Sequence, residues 1–411
     1  MAVALPVELR PPLTPGEALL EADRCLACGE AHAPAPCQVA CPAGVDVPVF
    51  VGSLAVGDTD AAARTILAAN LLGGTCARVC PVEVLCEGAC VVRDAIPIAR
   101  LQRFALDRSP ATVERVRAKT PATGRRVAVV GAGPAGMACA GELALRGHAV
   151  TLYDERDEPG GLVRFAIAPY RIGREPLPHE LRLLRELGVE LRFERRIDPA
   201  GLDGFDAVFL GVGAGPDTRV ACPGDDLPGV WSSLDFIERL KRGAPPEIGL
   251  RVVVVGGGNT AIDVARETLR LGAHDVTLLY RRTRRELPAY PHEVAEAEEE
   301  GVHFQWLAAP ARILGTDRVE AVECTLMALG APDDSGRRRP TPLEGSEFTI
   351  ACDTVVLAIG QAGPQITVDE HWQTADARVF AGGDAVNGGS SAVEAVRAGR
   401  DAAISIDRWL S

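Results

Sequence analysis

An apolar strand runs into a glycine-rich turn at residues 126–136, which have the sequence RVAVVGAGPAG. Glycines at such a turn permit tight bending, let backbone N–H groups approach a pyrophosphate, and bring strand and helix together. After the helix, a second strand ends at Asp154, a carboxylate suited to ribose hydroxyls and 154 − 131 = 23 residues beyond the first glycine. The combination predicts a dinucleotide site formed by Gly131, Gly133, Gly136 and Asp154. The alternative is a tight strand-helix turn without a ligand.

A similar pattern recurs 256 − 131 = 125 residues later, at residues 251–261 with the sequence RVVVVGGGNTA. The strand after its helix ends without a carboxylate and continues as two arginines, so nothing repels a 2′-phosphate and two guanidiniums can clamp it. The pattern predicts a second nucleotide site that favours NADP over NAD. Its expected contacts are Gly256, Gly258, Asn259, Thr260, Arg281 and Arg282. The alternative for the arginines is a solvated run.

A third element lies at residues 379–384, where the sequence VFAGGD predicts a strand, a loop and then a helix. The carboxylate of Asp384 can accept from a flavin ribityl hydroxyl, and the following helix can direct its N-terminus at the flavin ring. Together, the three elements resemble the flavoproteins that bind two dinucleotides. The resemblance implies an FAD domain that is split in sequence and includes Gly131, Gly383 and Asp384, with a nicotinamide domain inserted between its halves.

Twelve cysteines are present, and eight of them fall between residues 25 and 90. Their spacing is C-x2-C-x8-C-x3-C-P, followed by C-x3-C-P-x4-C-x3-C. In a reducing compartment such a group indicates metal binding rather than disulfides, and these spacings with Cys-Pro pairs suit cubane iron-sulfur clusters. Zinc is the alternative, because C-x2-C also occurs in four-thiolate zinc sites. A flavin that must deliver single electrons favours iron and sulfur.

Nearly the whole chain resembles the small-subunit family of glutamate synthase, which includes the N-terminal half of dihydropyrimidine dehydrogenase and the small subunit of its bacterial two-subunit form. The segments that carry the resemblance are RCLAC (24–28), CARVCP (76–81), LCEGAC (85–90), RLQRF (100–104), PGGL (159–162), residues 256–266 and LPA (287–289). The resemblance implies flavin contacts at Gly161, Leu162 and Arg171.

The same resemblance implies two 4Fe-4S clusters. Cys25, Cys28, Cys37 and Cys90 would hold the first. Cys41, Cys80, Cys86 and Gln102 would hold the second, because a glutamine in the same context completes one cluster in the dehydrogenase branch. Cys76 would be left over. Two plain four-cysteine sites are the alternative.

The composition restricts the class of protein. Basic residues number 43 and acidic ones 56, and the resulting charge of −13 disfavours a nucleic-acid partner. We find no apolar run of eighteen residues and no leader behind Met1, so we expect neither a membrane segment nor secretion, but a cytoplasmic protein. The seven histidines are dispersed, and we assign no catalytic side chain.

The expected fold class is α/β, with a helical iron-sulfur domain at residues 1–120, an FAD domain at 121–220 and 359–411, and an NAD(P)H domain at 221–358. The expected function is hydride transfer between NAD(P)H and FAD, followed by single-electron transfer through two clusters to a catalytic partner subunit. The alternatives are the electron-input subunit of a dihydropyrimidine dehydrogenase, an NAD(P):ferredoxin-type subunit of a 2-oxoacid oxidoreductase, and a redox-sensing or scaffold subunit. No segment of about 250 residues remains for a barrel that could reduce a final substrate.

Overall fold

A computed structural model gives the fold of the chain and describes residues 8, 11–29, 33–110, 112, 116–198, 201–218, 222–333 and 336–411. The chain forms two compact units. Of the described residues, those within 165–170 and 216–362 form the first unit, and those within 8–164, 171–215 and 363–411 form the second.

The cysteine-rich part of the second unit is helical. Thr14 and Glu17 form a capping box at the start of the first helix, and Asp46 and Asp58 accept from backbone N–H groups at the start of two others. Phe50, Ile66 and Leu101 are fully buried between these helices. The helices are α1 (Pro15–Asp23), α2 (Pro36–Val39), α3 (Val47–Ala55), α4 (Thr59–Ala69), α5 (Gly73–Val79) and α6 (Ile98–Arg108), with a 3-10 turn at Val82–Val84.

The rest of the second unit is built on a five-stranded parallel sheet. Its strands are β1 (Arg126–Val130), β2 (Ala149–Tyr153), β3 (Glu190–Arg192), β4 (Ala207–Leu210) and β14 (Val379–Ala381), in the order β14-β4-β1-β2-β3. Its helices are α7 (Pro134–Leu145), α8 (Leu162–Phe165), α9 (Leu177–Glu186), α13 (Asp384–Asn387) and α14 (Ala392–Leu410). The register pairs Val130 with Tyr153 and with Leu210, and Leu210 with Ala381, so these strands end at one edge of the sheet.

The first unit contains another five-stranded parallel sheet. Its strands are β5 (Val230–Ser232), β6 (Arg251–Gly256), β7 (Asp275–Tyr280), β8 (His303–Trp306) and β13 (Thr354–Ala358), in the order β5-β13-β6-β7-β8. Its helices are α10 (Ser233–Arg242), α11 (Asn259–Arg270) and α12 (Pro291–Glu299), with a 3-10 turn at Arg284–Glu286. Strand β6 is buried at Val252–Val255, as a central strand covered on both faces should be.

An antiparallel sheet separates β8 from β13 in the sequence. It consists of β9 (Ala308–Leu314), β10 (Ala321–Pro332), β11 (Arg338–Pro342) and β12 (Phe348–Ala351), and β10 pairs with the other three.

The predicted α/β class is confirmed, because two parallel sheets with helices follow a helical cysteine-rich part. Strand β14 pairs with β4, and the strands of the first unit lie between these two in the sequence. The domain boundaries drawn from the sequence stay a prediction, since the second compact unit contains both the cysteine-rich part and the sheet of β1, β2, β3, β4 and β14. No helix in the described ranges is long and apolar enough to cross a lipid bilayer.

Candidate functional site

The first glycine turn leaves no room for larger residues. Gly131 has φ +101°, and a Cβ there would lie 2.3 Å from the carbonyl oxygen of Gly211. A Cβ at Gly136 would lie 1.8 Å from the carbonyl oxygen of Gly131. The N-terminus of α7 can therefore approach the end of β1 only because both positions are glycine.

Asp154 lies directly after β2 and closes the same turn. Its carboxylate accepts from the backbone N–H of Ala132 at 2.6 Å and from that of Arg156 at 2.9 Å. Burial raises the pKa of this carboxyl, although both hydrogen bonds act in the opposite direction. Each oxygen has two lone pairs, so Asp154 can still accept from a ribose hydroxyl.

The Gly160–Leu162 segment lies against the first turn. The backbone N–H of Gly160 donates to the carbonyl of Ala132 at 2.8 Å. A Cβ at Gly161, where φ is +51°, would lie 2.9 Å from the Cα of Gly133. Leu162 begins α8. A Cβ at Gly133 would find its nearest atom 3.9 Å away, so this glycine faces open space that a phosphate could occupy.

The third predicted element reaches the same helix end. Gly383 has φ +72°, and a Cβ there would lie 2.8 Å from the Cβ of Ala135, in the first turn of α7. Asp384 begins α13, and burial raises the pKa of its carboxyl. The structure thus brings three of the predicted segments together at the N-terminus of α7. Arg171 is half-buried and lies where the chain enters the second unit from Tyr170 of the first.

The second glycine turn is built differently. Gly256 has φ +147°, and a Cβ there would lie 2.0 Å from the carbonyl oxygen of Ala358. A Cβ at Gly258, the N-cap of α11, would meet nothing within 4 Å. The side chain of Asn259 accepts from the backbone N–H of Tyr290 at 3.0 Å, which fixes the start of α11, and Thr260 beside it is half-buried.

The two arginines after β7 differ from each other. Arg281 is exposed. Arg282 is 3% exposed, and its guanidinium donates to the carbonyl of Arg338 at 2.7 Å and to Asp333 at 2.6 Å. Asp333 thus holds Arg282 in this structure while Arg281 is exposed, and the paired clamp on a 2′-phosphate stays a prediction.

Four of the predicted cluster ligands lie around one small pocket. Cys25, Cys28, Cys37 and Cys90 line it together with apolar residues such as Ile96 and Ile98. Burial and the neighbouring Cys90 and Cys25 raise the pKa of the Cys37 thiol to about 11. The spacing of the four cysteines along the sequence thus corresponds to one location in the fold.

The other cysteines form a second group. The Cys41 thiol interacts electrostatically with Cys76, and the half-buried Cys80 thiol interacts with Cys41, Cys76 and Cys86, which raises its pKa. The backbone N–H of Cys80 donates to the carbonyl of Cys76 at 3.1 Å, so the buried Cys76 belongs to this group, which the sequence did not predict. In the described ranges, no three Cys, His, Asp or Glu side chains converge closely enough to hold a single metal ion.

Gln102 lies in α6 and is 8% exposed. Its amide Nε2 donates to the carbonyl of Gly73, at the start of α5, at 2.6 Å. Cys76 lies three positions after Gly73 in the same helix and Cys80 is the C-cap of that helix, so Gln102 packs beside a helix that positions two thiols of the second group.

Sequence reasoning missed two features of these sites. Gly211 follows β4 and borders the first turn, and Gly399 of α14 has room for no side chain because its Cβ would lie 1.9 Å from the carbonyl oxygen of Ala135. A glycine directly after a parallel strand was the available signal for Gly211. The four cysteines outside the N-terminal group (Cys139, Cys222, Cys324 and Cys352) are all buried, and none belongs to a C-x-x-C pair.

Two parallel sheets with glycine turns, preceded by a module of clustered thiols, define an FAD- and NADP-dependent oxidoreductase with an iron-sulfur domain. Residues 6–113 match the family described as dihydropyrimidine dehydrogenase domain II, 4Fe-4S cluster. Residues 125–399 match the pyridine nucleotide-disulphide oxidoreductase family. The chain belongs to the glutamate synthase small-chain family, as the sequence predicted.

Similar proteins support this assignment. The small chain of NADPH glutamate synthase from Halomonas elongata is 34% identical over 447 residues, which are 98% of this chain and 93% of the relative. The NADPH-Fe(3+) oxidoreductase subunit beta of Geobacter sulfurreducens is 41% identical over 349 residues, 80% of this chain, and this chain spans only 51% of its length. The structure of Mycobacterium tuberculosis FprA in complex with NADPH has a TM-score of 0.59 and 19% identity, covering 71% of this chain and 85% of that chain, and it shows the fold alone.

Proposed function

We propose that this protein is an electron-transfer subunit that oxidises NADPH and passes electrons through FAD and two 4Fe-4S clusters to a partner subunit. The observation that carries the proposal is the presence, in one compact unit, of the first glycine turn and of two separate thiol groups. When bound, FAD supplies two-electron chemistry with the nicotinamide, and the clusters supply one-electron chemistry.

The residues at the N-terminus of α7 are suited to hold FAD. Gly133 leaves open space beside the helix end, where backbone N–H groups and the helix dipole favour a pyrophosphate. Asp154 is placed for a ribose, and Asp384 for a ribityl hydroxyl. Gly161, Leu162 and Arg171 complete the proposed flavin contacts. These residues bind and orient, and no side chain has to move a proton during hydride transfer.

For the nicotinamide coenzyme we propose Gly256, Gly258, Asn259 and Thr260 as contacts, with Gly258 giving the pyrophosphate its closest approach. Arg281 is the proposed contact for the 2′-phosphate, because its guanidinium is exposed beside the end of β7. We assign Arg282 a different role, which is to hold the hairpin formed by β10 and β11 through Asp333 and Arg338.

For the clusters we propose Cys25, Cys28, Cys37 and Cys90 as one ligand set, and Cys41, Cys80, Cys86 and Gln102 as the other. The pocket shared by the first four thiols supports the first set. The hydrogen bond from Gln102 Nε2 to the carbonyl of Gly73 supports the second ligand set, because the lone pairs of the amide oxygen of Gln102 are then available to an iron atom. The electrostatic interaction of Cys76 with both Cys41 and Cys80 favours a competing set in which Cys76 replaces Gln102.

Two variants distinguish these ligand sets. If Gln102 is the fourth ligand, Gln102→Ala changes the electron paramagnetic resonance signal of one reduced cluster, whereas Cys76→Ala leaves both signals in place. If Cys76 is the ligand, the two results are exchanged. The iron and sulfide content of each purified variant shows whether its cluster is lost or only altered.

The partner is proposed to carry the final substrate site. Relatives of this chain are called small chain or subunit beta, and the large subunit of a glutamate synthase is the first candidate partner. A pyrimidine dehydrogenase and a 2-oxoacid oxidoreductase are the other candidates. Mass spectrometry of whatever copurifies with the native chain identifies the partner.

Anaerobic titration with NADPH and NADH tests the central proposal. We expect NADPH to bleach the flavin in a stoichiometric amount, the clusters to become reduced, and an added one-electron acceptor to be reduced in turn. A flavin that neither nucleotide bleaches would contradict electron transfer and favour a redox-sensing or scaffold role. Clusters that stay oxidised while the flavin is reduced would contradict the proposed path.

A further inference from the structure

A cavity in the second unit lies apart from the proposed cofactor contacts. Its volume is about 470 Å³, within the range of roughly 300–1,000 Å³ that is usual for small-molecule sites. Helices α4, α5 and α6 line it on one side and residues 173–180 on the other. None of its lining residues belongs to the turns at 131–136, 160–162 or 383–384.

Two nitrogen atoms of the cavity wall lack hydrogen-bond partners among the described residues. Arg78 has a side chain only 3% exposed, and its terminal nitrogens donate to the carbonyl of Gly74 at 3.1 Å and to Asp107 at 2.7 Å. Its Nε is buried and has no acceptor. The Nδ1 atom of His179 is likewise buried without a partner, while Nε2 of that ring faces Glu175 at 3.4 Å. A buried guanidinium N–H without an acceptor is unfavourable, because its lost hydration is not replaced, so the wall is suited to a ligand that supplies an acceptor.

The buried guanidinium of Arg78 favours a negatively charged acceptor at its Nε. Arg78 and Arg103 have side chains 3% and 12% exposed, whereas their partners Asp107 and Glu8 are 36% and 25% exposed, so both cations lie deeper than the carboxylates that pair with them. Glu180 also lines the cavity and is 3% exposed, but its carboxylate already accepts from the backbone N–H of Thr75 at 2.8 Å and from the hydroxyl of Thr75 at 2.6 Å. A hydrogen bond from a guanidinium to a charged acceptor is stronger than one to a neutral acceptor.

The rest of the wall is apolar. Leu67, Leu71, Leu106 and Pro176 line the cavity between its polar groups. An inorganic anion would leave these surfaces in contact with water, whereas an organic ligand would bury them.

We propose that this cavity binds a small organic carboxylate with an apolar body, whose carboxylate accepts from Nε of Arg78 and contacts Nδ1 of His179. The apolar body packs against the leucines. The proposal does not depend on electron transfer, because it concerns residues outside both the dinucleotide turns and the cysteine ligand sets.

Calorimetric titration of the intact, cofactor-loaded protein tests the proposal with pentanoate, pentanamide and inorganic phosphate as probes. We expect saturable binding of pentanoate, and binding of pentanamide and phosphate about tenfold weaker or undetectable, because a charged acceptor is preferred and a phosphate has no apolar body. Equal binding of pentanoate and pentanamide, or equal competition by phosphate, would overturn the proposal.

Variants locate the binding site. Arg78→Lys keeps the charge but removes the Nε donor, so pentanoate should bind about tenfold more weakly. The matched control is Arg64→Lys, which changes an exposed arginine of α4 outside the cavity and should bind like the parent. His179→Ala, at a side chain 37% exposed, provides a second test if Arg78→Lys does not fold, and a smaller loss is expected. Unchanged affinity in His179→Ala and in any folded Arg78→Lys protein would place the ligand elsewhere and refute the proposal.

Discussion

The two glycine turns have the same local plan but meet different surroundings. At the first turn, Gly136 lies against the backbone of Gly131, and Asp154 closes the loop through two backbone N–H groups. At the second, Ala261 occupies the position of the third glycine, and the strand that follows α11 ends in arginines instead of an acid. In the proposed function, the same strand-turn-helix arrangement binds two different coenzymes, and the residues after the second strand determine which one.

The largest expected effect comes from adding one methyl group to the first turn. Gly136→Ala places a Cβ 1.8 Å from the carbonyl oxygen of Gly131, so helix and strand must separate. We expect a loss of about 3 kcal/mol or more in the free energy of unfolding and little retained flavin, measured by thermal melting and flavin absorbance.

Two controls accompany this variant. Ala261→Gly, at the equivalent position of the second turn, should cost about 1 kcal/mol through helix propensity. Gly201→Ala, at an exposed position with no heavy atom within 4 Å of the added Cβ, should retain flavin. If Gly136→Ala retained as much flavin as Gly201→Ala, the first turn would not require a glycine at position 136, and this difference between the two turns would be refuted.

The next effect concerns the buried arginine after β7. Arg282→Met removes a guanidinium held by Asp333 and by the carbonyl of Arg338. Because Asp333 is 31% exposed and can be hydrated, we expect a loss of about 2 kcal/mol in stability. Calorimetric melting should show it, with an unchanged ratio of activities on NADPH and NADH in the folded protein. A change in the ratio of NADPH activity to NADH activity would show that Arg282 contacts the coenzyme after all.

For the exposed Arg281 beside it, we expect the opposite result, which is a change in coenzyme binding without a change in stability. Arg281→Ala is expected to leave the melting temperature nearly unchanged and to raise KM for NADPH roughly tenfold or more, because one charge-assisted hydrogen bond to the phosphate is lost. KM for NADH should not change. Arg318→Ala, at another exposed arginine of the first unit, is the matched control. Equal changes for both nucleotides would remove Arg281 from the phosphate site.

The smallest expected effect is a pH dependence of stability in both units. Burial raises the pKa of Glu180, which accepts from Thr75, and of Glu267, which accepts from the backbone of Tyr170, to about 7 in each case. The unfolded pKa of each is lower, so the folded form binds more protons. Stability is therefore greatest at low pH and falls as the pH rises through 7, by about 1.4 kcal/mol per group between roughly pH 6 and 8.

Thermal melting across this pH range checks the effect. Glu180→Gln and Glu267→Gln should each remove part of the slope, and Glu344→Gln, at an exposed glutamate, should not. A parent protein whose melting temperature rises between pH 6 and 8 would contradict the assigned direction.

Local sequence patterns predicted the parts of the fold that depend on local chemistry. The strand-glycine-helix pattern predicted both turns, because each contains a close approach within five residues of chain, of Gly136 to Gly131 in the first and of Ala261 to Gly256 in the second. The family resemblance grouped Cys25, Cys28, Cys37 and Cys90, which line one pocket.

Long-range contacts were not predictable in the same way. Arg282 looked like a phosphate ligand because Asp333, 51 residues later in sequence, gives no local sign that it will approach. The contact of Glu180 with Thr75 likewise spans 105 residues. Such contacts follow from tertiary packing, which the periodicity of apolar residues and the spacing of motifs along the sequence do not predict.

The sheet of the second unit contains strands from two separate parts of the sequence, and this separation determines the order in which the two units can fold during synthesis. The described residues of 165–170 and 216–362 contain both sheets of the first unit, so all of that unit has been synthesised before β14 is translated. The sheet at the first glycine turn gains β14 and α14 only when residues 379–410 have been translated. The proposed flavin site is therefore completed last. If translation stops while the strands of the first unit are being made, strand β4 has an unpaired edge, because β14 has not yet been synthesised.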